Sequence, residues 1–327
     1  MKIRMEHGSG GRATSALIDE IFKSTFDNDT LSQMEDAAVI DGASRIAMTT
    51  DSFVVTPLEF PGGDIGRLCI CGTVNDLLMR GAHPRYITCG FILEEGADTE
   101  VLQRIVTSMA ETAKEAGVEI IAGDTKVIGG KGGIYINTAG VGFVDEDTDI
   151  KAANARPGDV LIVSGNMGDH HATVLSSRLE ISNTIKSDNA PLGDMVENLL
   201  KSDVKLHVLR DITRGGLATV LKELAVASET DFVINETDIP VDPQVKDFCG
   251  LLGLEPLYMG NEGKLVAVVA ARDADRALQI IRNSKYGENA VVIGSVEDGS
   301  GNLILKTRIG GSRRLDILAG EGLPRIC

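Results

Sequence analysis

Residues 64–93 read DIGRLCICGTVNDLLMRGAHPRYITCGFIL, and this stretch sets the fold class. Asp64 stands where a helix cap is expected, because a short carboxylate accepts the free N–H groups of a first turn. The residues after it predict a helix from about Ile65 to Arg80, closed by Gly81 and followed by Pro84. Residues 86–93 (YITCGFIL) then read as a buried strand. The alternation continues on both sides. Upstream, residues 46–50 (IAMTT) predict a strand that delivers Asp51 at its end. Downstream, Thr99 caps a second helix with apolar positions Val101, Ile105, Met109 and Ala113, closed by Gly117. Strands follow at 118–122, leading to Gly123 and Asp124, and at 134–143.

A polar segment at 151–158 (KAANARPG) ends in Pro-Gly and precedes a fresh strand at 159–164. It divides the chain into residues 1–150 and 151–327. The second part predicts helices near 191–201, 215–228 and 273–283, and strands near 231–235, 264–270, 290–295 and 302–308. Strands and helices intermix without strict βαβ spacing. The expectation is two α/β or α+β domains, as the length of 327 residues also suggests.

Composition narrows the function classes. A net charge of −16 argues against nucleic acid, which needs a basic footprint. No stretch approaches the length of a membrane span. The opening MKIRMEHGSGG lacks the apolar run of a signal peptide, so the expected location is the cytoplasm. The five cysteines, Cys69, Cys71, Cys89, Cys249 and Cys327, are expected to be reduced thiols. Cys69 and Cys71 read as helix packing residues rather than metal ligands. The adjacent His170 and His171 carry no claim to catalysis from the sequence.

Several residues do carry chemistry. Asp36, Asp51, Asp76 and Asp124 flank apolar runs or strand ends. Read as separate groups they are caps and turn residues. Read together they are a set of carboxylates that needs a cation, and Mg²⁺ with nucleotide phosphates is the usual answer. The loop His7–Arg12 (HGSGGR) lacks both the Walker ending and the preceding strand of a dinucleotide fingerprint. It reads equally as a cover over phosphates, with Arg12 as charge partner, or as an N-terminal arm. Lys126 in GDTK (123–126) stands next to Asp124, either at a phosphate site or as a surface lysine in a turn. Glu262 in NEGK (261–264) lies at a strand entrance, as a positioned base or a turn cap. DITRGG (211–216) reads as a helix opening that can face an anion. Cys327 closes the sequence, and a thiol at a chain end can travel between sites.

Taken together, EDAAV (35–39), TTDSF (49–53), GTVNDLLMRGA (72–82), AGDTK (122–126) and DITRGGL (211–217) resemble the ATP-using enzymes related to aminoimidazole ribonucleotide synthetase. That superfamily includes thiamine monophosphate kinase, selenophosphate synthetase and formylglycinamidine synthetase. Within it, HGSGGR, GDTK, NEGKLVAVV (261–269) and the terminal PRIC (324–327) resemble the branch of carbamoyl dehydratases that serve [NiFe]-hydrogenase maturation. The resemblance covers essentially the whole chain.

This resemblance implies a two-domain α/β fold and a homodimer whose N-terminal-domain strands form a shared barrel, with ATP alongside. It places Asp36, Asp51, Asp76 and Asp124 at the magnesium and phosphate positions, with Asn75 and Gly123 among the nucleotide-binding residues. It implies that Lys126 and Glu262 act at a thiocarbamate carried on Cys327. That group would be loaded by the carbamoyltransferase HypF, dehydrated to S-cyanate with ATP, and passed to the HypC–HypD complex. The segment 127–133 (VIGGKGG) is short for this branch, so no catalytic residue is expected in it. The alternative is a small-molecule kinase of the thiamine monophosphate type, which would use the aspartates but not Cys327.

Overall fold

The computed structural model describes residues 2–9, 12–34 and 37–318. Asp36 and Cys327 lie outside the described residues.

The N-terminal half is a four-stranded sheet with helices on one face. Its strands are β1 (Ile46–Phe53), β2 (Ala82–Glu94), β3 (Glu119–Ile128) and β4 (Ile134–Val144), in the order β1-β4-β2-β3. Strands β2 and β3 run parallel, and the other pairs are antiparallel. Helix α1 (Ile65–Leu78) starts as expected at Asp64, whose Oδ1 accepts from Gly66 N (2.7 Å) and Arg67 N (2.9 Å). Helix α2 (Thr99–Ala116) is capped by Asp98, not Thr99: its Oδ1 takes the Glu100 N–H at 2.9 Å. Asp and Thr both cap well, and the one-residue difference leaves the helix in place. Gly117, at φ +70°, closes α2 in the left-handed region.

Helix α1 is apolar nearly all round, and Ile65, Leu68, Cys69, Ile70, Cys71 and Val74 are fully buried. A helix of that kind is covered on every side. Here β1, β4 and β2 cover one side, α2 another, and the second half of the chain a third. Gly66 permits the close approach to α2. A Cβ there would lie 2.3 Å from the Ile105 carbonyl oxygen.

The C-terminal half is a seven-stranded sheet. Its strands are β5 (Val160–Val163), β6 (Leu206–Asp211), β7 (Asp231–Asn235), β8 (Leu265–Val269), β9 (Val291–Glu297), β10 (Leu303–Lys306) and β11 (Ser312–Leu315). The order is β11-β10-β7-β9-β5-β8-β6, with only β10–β7 parallel. Strand β8 (LVAVV) is buried on both faces, which explains its unbroken apolar run. Helices α3 (Asp169–Arg178), α4 (Gly193–Leu200), α5 (Gly216–Ser228), α6 (Pro243–Leu252) and α7 (Ala274–Asn283) flank the sheet. Asp211 is the last residue of β6, and the helix of the DITRGG run begins only at Gly216. Asp51 lies within β1, which continues to Phe53.

The two halves share a seam of side chains. Apolar residues of α1 belong to one buried cluster with Leu192, Met195, Leu199, Ala277 and Ile281. Asn75 and Arg67 make polar contacts across the same seam. Asn75 Nδ2 donates to Ala190 O (3.0 Å), and its Oδ1 accepts from Leu192 N (2.9 Å). Arg67 Nε donates to Asn189 O (2.9 Å), Nη1 to Glu115 Oε2 (2.9 Å) and Nη2 to Tyr286 OH (3.2 Å). Burial of α1 from both sides therefore fixes how the halves sit together.

Candidate functional site

A carboxylate cleft forms where α1 and β1 meet the C-terminal half. Thr49 and Asp51 are two apart on β1 and so project from the same face. Thr49 Oγ1 donates to Asp76 Oδ2 at 2.7 Å. Asp76 lies one helical turn beyond Gly72, whose missing side chain lets α1 ride close over β1. A Cβ at Gly72 would be 3.0 Å from the Phe53 ring and 3.7 Å from Asp51 Oδ2. The C-terminal half adds Asp211 and Glu262. Asp211 pairs with Leu265 across β6 and β8, and Asn261 N donates to Ile212 O (2.9 Å), so the 261–263 loop runs beside the end of β6.

Glu262 is only 4% exposed, and its backbone is held on both sides. Its N–H donates to Asp188 Oδ1 (3.1 Å), and its carbonyl accepts from Ala190 N (3.4 Å). The next residue has to be glycine, because a Cβ at 263 would sit 1.9 Å from the Asp188 carbonyl oxygen. That contact is the physical reason for the Glu-Gly order in NEGK.

The electrostatics follow from burial. Asp51 is pushed up to about 6, first by burial, then by the Asp76 charge, against the pull of Arg214. Asp211 is pushed up to about 7 by burial and by Asp76. Glu262 is raised well above the ordinary carboxylate range by burial, then by Asp211, Asp188 and Asp51, with Arg214 opposing. Carboxyls removed from water and set near one another hold their protons more tightly. Among the described residues, no three His, Cys, Asp or Glu side chains form a group that could by itself hold a metal ion.

The other expected residues sit elsewhere. Gly123, Asp124, Thr125 and Lys126 are on β3, the edge strand opposite β1. The register runs Asp51–Thr138–Cys89–Gly123 across the sheet. Three strand spacings separate Asp51 from Gly123, about 14 Å. Lys126 Nζ lies 2.7 Å from Asp124 Oδ1, and this hydrogen bond holds Asp124 below its usual range. The four residues line a cavity of about 320 Å³, walled by Ile18, Phe22, Phe26, Leu31, Phe91 and Ile120. Gly8 of the HGSGGR loop packs against Val127, where a Cβ would come within 2.7 Å of the backbone N. That contact brings the N-terminal loop beside Lys126.

The structure thus groups Asp51 and Asp76, and separately Gly123, Asp124 and Lys126. Asn75 is buried, with its amide spent on the seam rather than open to the cleft. Asp188 lies outside every sequence motif, and Asp211 is expected from the sequence only as part of a helix opening. An available signal for Asp211 was the apolar alternation ahead of it, which marks a strand end. Nothing in the sequence singled out Asp188. The described cysteines are poor nucleophiles. Burial raises the thiol pKa of Cys69, Cys71 and Cys89, and pushes Cys249 up to about 11.

Two α/β units meeting over a buried carboxylate cleft, with a glycine-rich N-terminal loop beside an edge strand, define a protein of the AIR synthase-related class. Family models describe the same layout: "AIR synthase related protein, N-terminal domain" matches residues 34–144, and the corresponding C-terminal domain matches 156–306. Within that class the chain belongs to the HypE carbamoyl dehydratases. It is 50% identical to the carbamoyl dehydratase HypE of Cupriavidus necator, covering 100% of this chain and 95% of that one. The crystal structure of HypE in complex with ATP superimposes with a TM-score of 0.96 at 46% identity, over 99% of both chains. HypE in a HypE–HypF complex superimposes with a TM-score of 0.81 at 47% identity, over 93% of this chain and 100% of that one.

Proposed function

We propose that the chain uses ATP to dehydrate an S-carbamoyl group on Cys327 to an S-cyanate, supplying cyanide for the iron centre of [NiFe]-hydrogenase. The observation that carries this reading is Glu262: a buried, rigidly mounted carboxylate whose proton affinity is raised, placed between the two halves. A carboxylate with raised proton affinity is the stronger base, and a carboxamide is a reluctant proton donor. The carbamoyl oxygen attacks the γ-phosphorus and ADP leaves. The nitrogen gives up both protons, the C–O bond breaks, and the oxygen departs in phosphate. Glu262 in its ionised form accepts one nitrogen proton, the other leaves with the departing phosphate, and Lys126 polarises the developing charge.

The adenosine of ATP fits the apolar cavity behind β3, with its phosphates toward Gly123–Lys126 and the HGSGGR loop. Mg²⁺ fits the donor set, since Asp51 and Asp76 are crowded, partly desolvated carboxylates and magnesium binds through one or two carboxylates plus phosphate oxygens. Asp51 and Asp76 would hold it together, with Asn75 shaping the site; the family pattern also names Asp36 and Asp124, but Asp124 stands three strands from Asp51 within one chain, so the two cannot share one ion there. When bound it would neutralise phosphate charge.

A homodimer completes this picture. Strands β1 and β3 each lack a partner on their outer edge among the described residues. Ile46, Met48 and Ile92 are exposed on the strands of that sheet. A second copy would close both sheets into a barrel and bring edge strands of the two subunits together. We assign residues 1–150 to the nucleotide and dimer domain and 151–327 to the second domain and its arm. HypF is the loading partner by analogy with the HypE–HypF complex, HypC–HypD the acceptor, and the cytoplasm the location. Among the described residues no helix is long and apolar enough to cross a membrane.

Mass spectrometry of the terminal peptide tests the assignment. With HypF, carbamoyl phosphate and ATP, the carbamoyl mass should appear only on the peptide of Cys327, and subsequent loss of water should require ATP. A kinase of the thiamine monophosphate type would retain full activity in Cys327→Ala. Persistence of cyanide formation in that variant would overturn the proposal.

A further inference from the structure

We infer that residues 255–262 form a common mount for the base and for the root of the terminal arm, with Tyr258 and Thr219 as positioning residues. This rests on the reading that Cys327 carries the reacting group.

Strand β11 ends at buried Leu315, and the next three residues have no strand partner. Side chains hold them instead. Tyr258 OH donates to Asp316 O (2.9 Å), and Leu318 N donates to Thr219 Oγ1 (3.3 Å). Just upstream, Arg313 Nη2 reaches Glu255 Oε2 at 2.7 Å. Glu255 and Tyr258 bracket the short turn Pro256–Tyr258, and Glu262 follows four residues later.

The stretch between is pinned throughout. Tyr258 N donates to Glu255 O (3.0 Å), Met259 N to Pro256 O (3.1 Å), His171 N to Gly260 O (3.2 Å) and Asn261 N to Ile212 O (2.9 Å). The first turn of α5, which carries Thr219, rests on the same stretch. A Cβ at Gly216 would lie 2.6 Å from Leu257 O. Gly215, at φ +82°, lets the loop wrap Thr219, since a Cβ there would meet the Thr219 Cβ at 2.7 Å. Both docking side chains therefore belong to one packed block with Glu262.

Chain lengths match this arrangement. Four residues separate Tyr258 from Glu262, which bounds their Cα separation at about 14 Å. Nine residues lie beyond Leu318 up to Cys327, a contour length of at most about 30 Å. That contour length exceeds the bound on the Tyr258–Glu262 separation. A released root lengthens the tether, and the effective concentration of the thiol at the base falls with tether length. The two residues touch no reacting atom; they set where the arm starts.

The test uses the full-length protein, carbamoylated with HypF and carbamoyl phosphate, as wild type, Tyr258→Phe and Tyr258→Phe/Thr219→Val. Single-turnover conversion after ATP addition should slow by about 1.5- to twofold in the double variant, the effect of lengthening the tether from nine to twelve residues. Loading by HypF should hold steady or quicken, because a freed root presents the thiol more readily. ATP affinity should not change. Unchanged conversion in both variants, or conversion and loading falling together, would overturn the mount. Tyr258→Phe loses only a hydroxyl and keeps the test valid if the double variant folds poorly. A Cys327→Ala control that still formed cyanide would instead sink the carrier reading, so the two failures are distinguishable.

Discussion

Two polar regions lie on the same seam and behave in opposite ways. Around Arg67, every charge has an answer. Glu115 meets Arg67 Nη1 at 2.9 Å and also pairs with Lys285 and Tyr286. Burial alone would raise its pKa, but the hydrogen bonds of Lys285, Tyr286 and Arg67 hold it at about 2. The carboxylate cleft is left unbalanced: Asp51, Asp211 and Glu262 are raised, Arg214 only partly offsets Asp51 and Glu262, and Arg210 only partly offsets Asp211. The first region holds the halves together. The second keeps charge that a phosphate-bound cation and a reacting amide can use, at a cost to folding.

Four changes would break or sharpen that contrast. The largest effect is expected from Glu262→Gln. Conversion of the carbamoylated protein should fall by roughly 10²- to 10⁴-fold, the usual worth of a general base. Stability should hold or rise, since a strained buried carboxyl is lost. A calorimetric scan beside the single-turnover assay would show both, and a rate within tenfold of wild type would remove Glu262 from the chemistry.

Arg67→Ala should do the reverse. It strands Glu115 and frees the Asn189 carbonyl, so unfolding free energy should drop by about 2–4 kcal/mol in a denaturant titration. Nucleotide binding should survive under folding conditions. A loss below about 0.5 kcal/mol would show that the clamp is ornamental.

The pH dependence carries the next effect. Glu115 has a depressed folded pKa, so its contribution is fully present above the unfolded value of 4.5 and is lost as pH falls through about 2. Discounted for partial exposure, it amounts to on the order of 2 kcal/mol. The cleft carboxyls run with the opposite sign. Asp211 holds a proton in the folded state up to about 7, so it lowers stability as pH rises from its ordinary 3.8 toward 7. Urea unfolding should therefore weaken below pH 4.5 in wild type and much less so in Glu115→Gln. Identical acid profiles would refute the assignment.

An effect smaller than that of Arg67→Ala is expected at Asn75→Ala, which removes the contacts to Ala190 and Leu192. About 1–3 kcal/mol should be lost, because two buried backbone groups go unpaired. Conversion should slow more than ATP binding weakens, since Ala190 N also supports the Glu262 carbonyl. Equal losses in both measurements would make Asn75 a nucleotide residue first.

Much of the fold was legible along the chain. The Asp64 cap, the apolar α1, the closing Gly117 and the buried β8 all follow from local pattern and are found where expected. Helices α3 and α6 and strands β6 and β11 were missed. Helix α3 opens on the polar Asp-His-His run, whose histidines are nevertheless buried, and β6 leads into a glycine-rich loop that masks its end. At the site, the motifs named Asp51, Asp76, Asp124, Lys126 and Glu262, but not which of them meet.

Local pattern along the chain was enough for most elements of the core, the family and the chemical kinds of residue available. Those properties depend on neighbours a few residues apart, through helix periodicity, caps and glycine geometry. Only the tertiary structure decided that Asp211 and Asp188 join Glu262, that Asp124 and Lys126 stand three strands from Asp51, and that the root of the arm shares a block with the base. Burial and charge proximity depend on contacts between residues tens to hundreds of positions apart, and these exist only once α1 is enclosed by both halves.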